Sequence, residues 1–114
     1  MPYKKRSGEK LSIHEKRLVR ALCGDFKKRA ADIERAVKPE RVLEKYICLN
    51  EAITSALDEV CAGESEKIKL MFLDALGDRR GHNWSPLCTI ISPTAFYERK
   101  YRIMLAIARN IDIL

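Results

Sequence analysis

From residue 12 onward the apolar residues of this chain recur every three to four positions, and no stretch alternates long enough to read as a strand. Ser12 opens the first periodic run, and Glu15 three residues on completes the pattern of a capping box. Leu18, Leu22, Phe26, Ala30, Ile33 and Val37 share one face, widened by Val19 and Cys23, so the spacing predicts one long helix. Gly24 sits inside it at a cost of about 1 kcal/mol relative to alanine and marks a close helix contact or a weak point. Pro39 suits the first turn of a second long helix, whose apolar face is Val42, Leu43, Tyr46, Leu49, Ile53, Leu57 and Val60. Ala52 and Ala56 on that helix are small enough to let another helix approach. Ser65 caps a shorter third helix carrying Ile68, Met71, Phe72, Ala75 and Leu76, and Gly77 stops it. Residues 77–84, GDRRGHNW, read as the clearest loop.

Two Ser-Pro pairs follow. Ser85-Pro86 starts a helix of about one turn, Leu87 to Ile90, and Ser92-Pro93 opens a last helix running to about Asn110. The predicted fold class is all-α: a long helical hairpin followed by a small C-terminal helix-turn-helix-like unit. Residues 1–11 read as a flexible basic arm, 12–77 as the hairpin plus third helix, and 78–114 as the C-terminal unit, all within one compact domain.

Composition narrows the classes without changing that picture. The 114 residues, 46% apolar and 33% charged, suit one globular domain. No apolar run reaches the roughly 18 residues of a membrane span, and MPYKKRSGEK has no apolar segment behind it, so no membrane partner and no secretory signal are expected. The expected location is the cytoplasm. Cys23, Cys48, Cys61 and Cys88 are widely spaced, with no C-x-x-C, and His14 and His82 sit near no cysteine cluster. The cysteines read as small buried apolar side chains, and neither a metal nor a cofactor is expected.

Charge is more informative. Residues 1–37 carry eleven Lys/Arg against five Asp/Glu, residues 38–77 five against eight, and residues 78–114 six against three. Two basic ends around an acidic middle suit a polyanion such as nucleic acid.

Residues 84–109 supply the parts of a helix-turn-helix, whose second helix enters the major groove by its N-terminal end. Trp84 and Leu87 anchor the short helix, Ile90 and Ile91 tuck the turn into the core, Ser92 caps the second helix, and Phe96 points inward. The outward positions then include Thr94, Ala95, Glu98, Arg99 and Arg102 as base readers. Thr94 and Ala95 can touch a thymine methyl, Arg99 can pair with guanine, and Glu98 can accept from cytosine or orient Arg99. Phosphate contacts fall to Ser92 at the helix N-terminus, to Tyr97 and Lys100 on its flanks, and to Arg79, Arg80 and His82 in the loop. The arm residues Lys4, Lys5 and Arg6 add to that grip.

The stretch ISPTAFYERKYRIMLAIARNIDIL resembles the C-terminal end of phage transcriptional regulators of the ArpU/RinA type. Those proteins end in a helix-turn-helix related to region 4 of sigma factors. Their last helix often reads Ser-x-x-Thr-Phe-Tyr, then basic residues and an Ile/Leu/Ala tail. Ser92, Phe96, Tyr97, Arg99 and Lys100 match. The likeness covers the last third of the chain. The start, YKKRSGEKLSIHEKRLVRALCGDFKKRAADIE, resembles small uncharacterised proteins of Clostridia and their mobile elements. The resemblance implies double-stranded DNA as partner, control of phage genes, and RNA polymerase as a further partner. In the usual motif the first helix is about two turns and a glycine often sits in the turn, whereas Pro86 leaves barely one turn before Ser92 and residues 85–92 hold no glycine.

No catalytic set stands out: there is no glycine-rich phosphate loop, no G-x-S-x-G and no H-E-x-x-H. His14 and Cys23 are nine residues apart on one helix, roughly 13 Å, too far to form a nucleophile pair. The expectation is a non-enzyme. The wide stripe of the second helix, with Ile47 on its shoulder, either closes the molecule's own core or supplies a homodimer surface. The main alternative is a helical assembly protein of the phage packaging or adaptor type with no DNA readout. An RNA-binding module lacks the strands with exposed aromatics that the commonest type needs.

Overall fold

The first helical run breaks in two at Asp25, and the rest of the packing follows from that bend. In the computed structural model, which describes residues 11–36, 41–78 and 80–112, α1 spans Ile13–Gly24 and α2 spans Phe26–Arg35. Next come α3 (Arg41–Val60), α4 (Glu66–Gly77), two single 3-10 turns (His82–Trp84 and Pro86–Thr89) and α5 (Pro93–Asn110). The fold is all-α, with five helices and no strand among the described residues. The expectations placed on Lys4, Lys5, Arg6, Val37, Pro39 and Arg79 lie outside those residues.

The expected continuous helix gives way because Asp25 takes φ −96° and ψ 6°, outside the helical well. The carbonyls around the bend find side-chain partners. Arg29 donates from Nε to Asn50 Oδ1 at 2.8 Å and from its guanidinium to the Leu22 carbonyl. Asn50 in turn donates to the Phe26 carbonyl at 3.2 Å. Both side chains are buried, so matched donors and acceptors are what make their burial tolerable. The knot ties α2 to α3 and leaves α1 free to lie elsewhere, against α4 and α5.

The caps form as the sequence predicts. Glu15 N–H donates to Ser12 Oγ and Ser12 N–H to Glu15 Oε1, while Ser65 and Ser92 accept from Ile68 and Ala95. One contiguous core joins Leu11, Val19 and Cys23 to Ile53, Ala56 and Leu57, and these to Phe72, Leu76, Leu87, Phe96, Ile103 and Ile107. The most extensive interface is α3 with α5. There Ala56 has no exposed surface, and Asn110 donates to the Ala52 carbonyl at 3.0 Å.

Several side chains depart from the expected pattern. Leu18 is exposed while Val19 is fully buried, so the inward face of α1 is rotated by one residue. Trp84 is 69% exposed and anchors nothing, and Ile90 is exposed too; Leu87 and the half-buried Ile91 hold that segment to the core instead. Cys23 and Cys61 are buried as expected, but Cys48 and Cys88 are exposed. Burial pushes the Cys23 thiol up to about 12, only partly offset by Arg29, and burial also raises Cys61, with Glu64 adding to it.

Where α1 meets α4, two glycines touch. A Cβ on Gly77 would stand 3.0 Å from the Gly24 Cα and 3.2 Å from its nitrogen, whereas a Cβ on Gly24 would meet open space. Gly77→Ala therefore lowers stability by about 1–2 kcal/mol in urea unfolding despite its better helix propensity. Gly24→Ala is neutral or stabilising by up to about 1 kcal/mol. A thiol-reactive dye applied to the folded chain at neutral pH labels Cys48 and Cys88 promptly and reaches Cys23 and Cys61 only on unfolding.

Candidate nucleic-acid interface

α5 presents two chemically different faces. Phe96, Lys100, Ile103, Met104 and Ile107 form its buried line, and Thr94, Ala95, Glu98 and Arg102 are exposed on the other side. Ala95, Glu98 and Arg102 are spaced three and four residues apart, so they stack along one face. The Pro86–Thr89 turn packs against α4 and α5, and the chain turns through Ile90 and Ile91 into the Ser92 cap.

Arg99, the expected guanine reader, does not join that face. Its guanidinium pairs with Glu64 in the connection between α3 and α4 and lies 5.6 Å over the Phe72 ring. Three residues before Arg102, it sits at the edge of the same face, and its pair with Glu64 and the Phe72 ring draw it toward α4. Tyr97 is half exposed; its ring stands edge-on to Phe96 and its hydroxyl accepts the His82 N–H at 3.1 Å. Ser92 spends its side-chain acceptor on the cap.

The loop residues are also more engaged than their sequence suggested. Arg80 grips Asp78 with two nitrogens, at 2.8 Å from Nη2 and 3.1 Å from Nε, and holds that carboxyl below the usual carboxylate range. It also lies over the Trp84 ring at 5.6 Å. His82 is buried rather than placed to grip a backbone: Nε2 donates to the Ile91 carbonyl at 2.7 Å and the ring stands edge-on to Phe96. It clamps the loop to the turn before α5.

Lys100 is the largest surprise. It sits on the core line and is only 8% exposed, with its ammonium 5.7 Å over the Phe96 ring. Burial pushes its pKa down, the Arg20 guanidinium pushes it further, and Asp78 offsets part of this. Sequence reasoning missed what surrounds it. Lys16, Arg17 and Arg20 lie on α1, and the bend at Asp25 lets that helix run beside α5. Lys16 stacks its ammonium 5.6 Å over the Tyr101 ring, and the Tyr101 hydroxyl accepts the Leu11 N–H at 2.6 Å, tying the start of α1 to α5.

Lys16, Arg20, Tyr97, Lys100 and Tyr101, with Arg80 and Gly81 of the loop, line a cleft of about 240 Å³ between α1 and α5. A wider hollow of about 550 Å³ shares Lys16, Arg20 and Lys100 and adds Arg17. No carboxylate lines either space. Among the described residues, no ion pair holds Lys16, Arg17, Arg20 or Lys100, whereas Arg80 is paired with Asp78. The i, i+4 spacing of Lys16 and Arg20 was visible in the sequence, but not which helix they would face. The arrangement gathers positive charge between aromatic side chains where α1 runs beside α5. Among the described residues no group of three or more His, Cys, Asp or Glu side chains could hold a metal ion, and no helix is long and apolar enough to cross a membrane.

The lowered pKa of Lys100 fixes a sign. The unfolded chain binds a proton more tightly there than the folded chain, so stability rises as pH climbs through the folded pKa toward the ordinary lysine value of 10.5. Lys100→Met removes that rise, read as the difference between wild-type and variant unfolding curves across alkaline pH. At neutral pH the same variant is more stable by about 1 kcal/mol, since an unpaired buried cation is replaced by an apolar side chain.

No family model matches the chain, and no curated protein or solved structure matches it either.

Proposed function

We propose that this chain binds double-stranded DNA in a sequence-specific way and regulates transcription, with the exposed face of α5 in the major groove. The observation that carries this reading is the group of Lys16, Arg17 and Arg20 on α1, which runs beside α5 and with the buried Lys100 lines spaces that hold no carboxylate among their lining residues. A groove reader needs both: exposed polar side chains for base edges and fixed positive charge for the backbone. The succession of a short capped turn, Ile90-Ile91, and the Ser92 cap supports the helix-turn-helix architecture at the C-terminal end. The resemblance to phage regulators supplies the genes: those of a phage or mobile element.

The base-reading set in this proposal is Thr94, Ala95, Glu98 and Arg102. Arg99 acts on α5 through its pair with Glu64. Phosphate contacts shift from the loop to α1. A homodimer on two half-sites fits the exposed Val42 and Ile47 of α3, which give a second copy an apolar surface. Those two residues also favour the second reading, a helical assembly protein with no DNA readout.

Binding to a pool of random duplexes, selected through several rounds and titrated with salt, separates the readings. A regulator gives an enriched motif and an affinity that falls steeply with salt, by about 0.9 log units per phosphate contact per log unit of salt. Arg102→Ala then costs about 1–3 kcal/mol on the selected site. Arg99→Ala lowers the unfolding temperature and leaves the motif unchanged. Higher-order rings in solution with no salt-dependent duplex binding would overturn the DNA reading and establish the assembly one.

A further inference from the structure

We propose that the cleft between α1 and α5 is a receptor for one phosphate group, held between Arg20 and Lys100 with Lys16 at its rim. The inference deepens the DNA-binding reading and rests on it for the source of the phosphate, a backbone phosphodiester; a free phosphomonoester is the other source with the same chemistry.

Three observations converge on it. The cleft is lined by Lys16, Arg20, Arg80 and Lys100 with no carboxylate among its lining residues, and while Asp78 pairs with Arg80, no ion pair among the described residues holds the other three. Lys100 is more than nine-tenths buried, its ammonium lies 5.7 Å over the Phe96 ring, and no ion pair among the described residues holds it. The Nε of Arg20 is buried with no hydrogen-bond partner. A donor withheld from both water and protein is costly, and that cost is relieved when an acceptor enters. Burial and then Arg20 lower the pKa of Lys100, and Asp78 offsets only part of that.

The chemistry of the lining selects the anion. Arg20 offers a planar fork of N–H donors and Lys100 a compact point charge, a pairing that suits a tetrahedral oxyanion with several acceptor oxygens. Three cations match a phosphate better than a single carboxylate. The cleft of about 240 Å³ seats a phosphate group and its ester carbons, and the hollow of about 550 Å³ that shares Lys16, Arg20 and Lys100 leaves room for what is attached to it. What carries the phosphate stays outside, where the half-exposed Tyr97 ring borders both the cleft and the exposed face of α5.

The test uses the full chain. Inorganic phosphate is titrated at constant ionic strength against chloride and followed by backbone amide NMR and thermal unfolding; a short duplex is then added as competitor. The expected result is saturable shifts centred on residues 16, 20 and 100, and a rise in Tm of about 5 °C at ten times the Kd. Arg20→Gln weakens phosphate binding by at least about tenfold, as expected for the loss of a charged donor. Lys100→Met abolishes the phosphate-dependent rise while unfolding at a higher temperature than wild type without phosphate, so loss of binding is not loss of fold. Non-saturable shifts spread over every basic residue overturn the proposal, as does wild-type phosphate binding by Lys100→Met. Saturable phosphate binding displaced by duplex identifies the backbone as source. Saturable binding in a chain that ignores duplex keeps the receptor, assigns it to a free phosphomonoester and overturns the DNA reading. Duplex binding unaffected by either variant, with no saturable phosphate shifts, overturns the receptor and leaves the DNA reading standing.

Discussion

A buried guanidinium fixes the course of the chain. Arg29 and Asn50 together occupy backbone carbonyls on both sides of Asp25, so the bend between α1 and α2 is satisfied where a straight helix would have satisfied itself. Had the run stayed straight, α1 would have continued the line of α2 along α3. Because it bends, α1 crosses to α4 and α5 and brings Lys16, Arg17 and Arg20 alongside the cleft that Lys100 lines. The cationic groove is thus a remote product of an internal hydrogen-bond knot. The contribution of such a knot lies less in net stability than in selecting one path among several, since a half-satisfied version would be worse than an apolar core.

The sequence disclosed its helices well and their mutual placement poorly. The Ser12, Ser65 and Ser92 caps depend only on neighbours three residues away, so local pattern suffices to read them. Phe96 and Leu87 were legible as core because each lies within a local apolar pattern. The bend at Asp25 was not, because apolar spacing runs through it unbroken and the side chains that stabilise it are polar and 21 residues apart in the chain. Arg99 and Lys100 were misplaced for a related reason. Both looked like surface residues by type, and only the packing of α4 and α1 around α5 turns one to Glu64 and sinks the other beside Phe96.

Lys100 shows how a charge can be kept in a core line without a carboxylate beside it. Its stem follows the apolar face of α5 while the ammonium reaches the edge of the cleft over an aromatic ring, a compromise open to lysine and closed to shorter cations. The position has a stability cost, and natural sequences retain such costs chiefly where a site uses the strain. Beside it the loop is pinned twice, to α5 by the His82 N–H on Tyr97 and to the turn before α5 by His82 Nε2 on the Ile91 carbonyl. The wall of the cleft contributed by Tyr97 is therefore positioned by the loop as much as by its own helix.

The glycine contact between α1 and α4 has a kinetic side. The gap between those helices is set by two backbones in touch at Gly24 and Gly77, with no intervening side chain that could change rotamer and let α1 rock. At the opposite end the Tyr101 hydroxyl fastens Leu11. On the proposed DNA-binding reading, a helix held at both ends offers the polyanion a surface already in its final shape, so little ordering entropy is lost on contact. On that same reading, capture is governed by how fast the long-range field draws the partner in, and that speed responds to ionic strength rather than to any rearrangement of the fold.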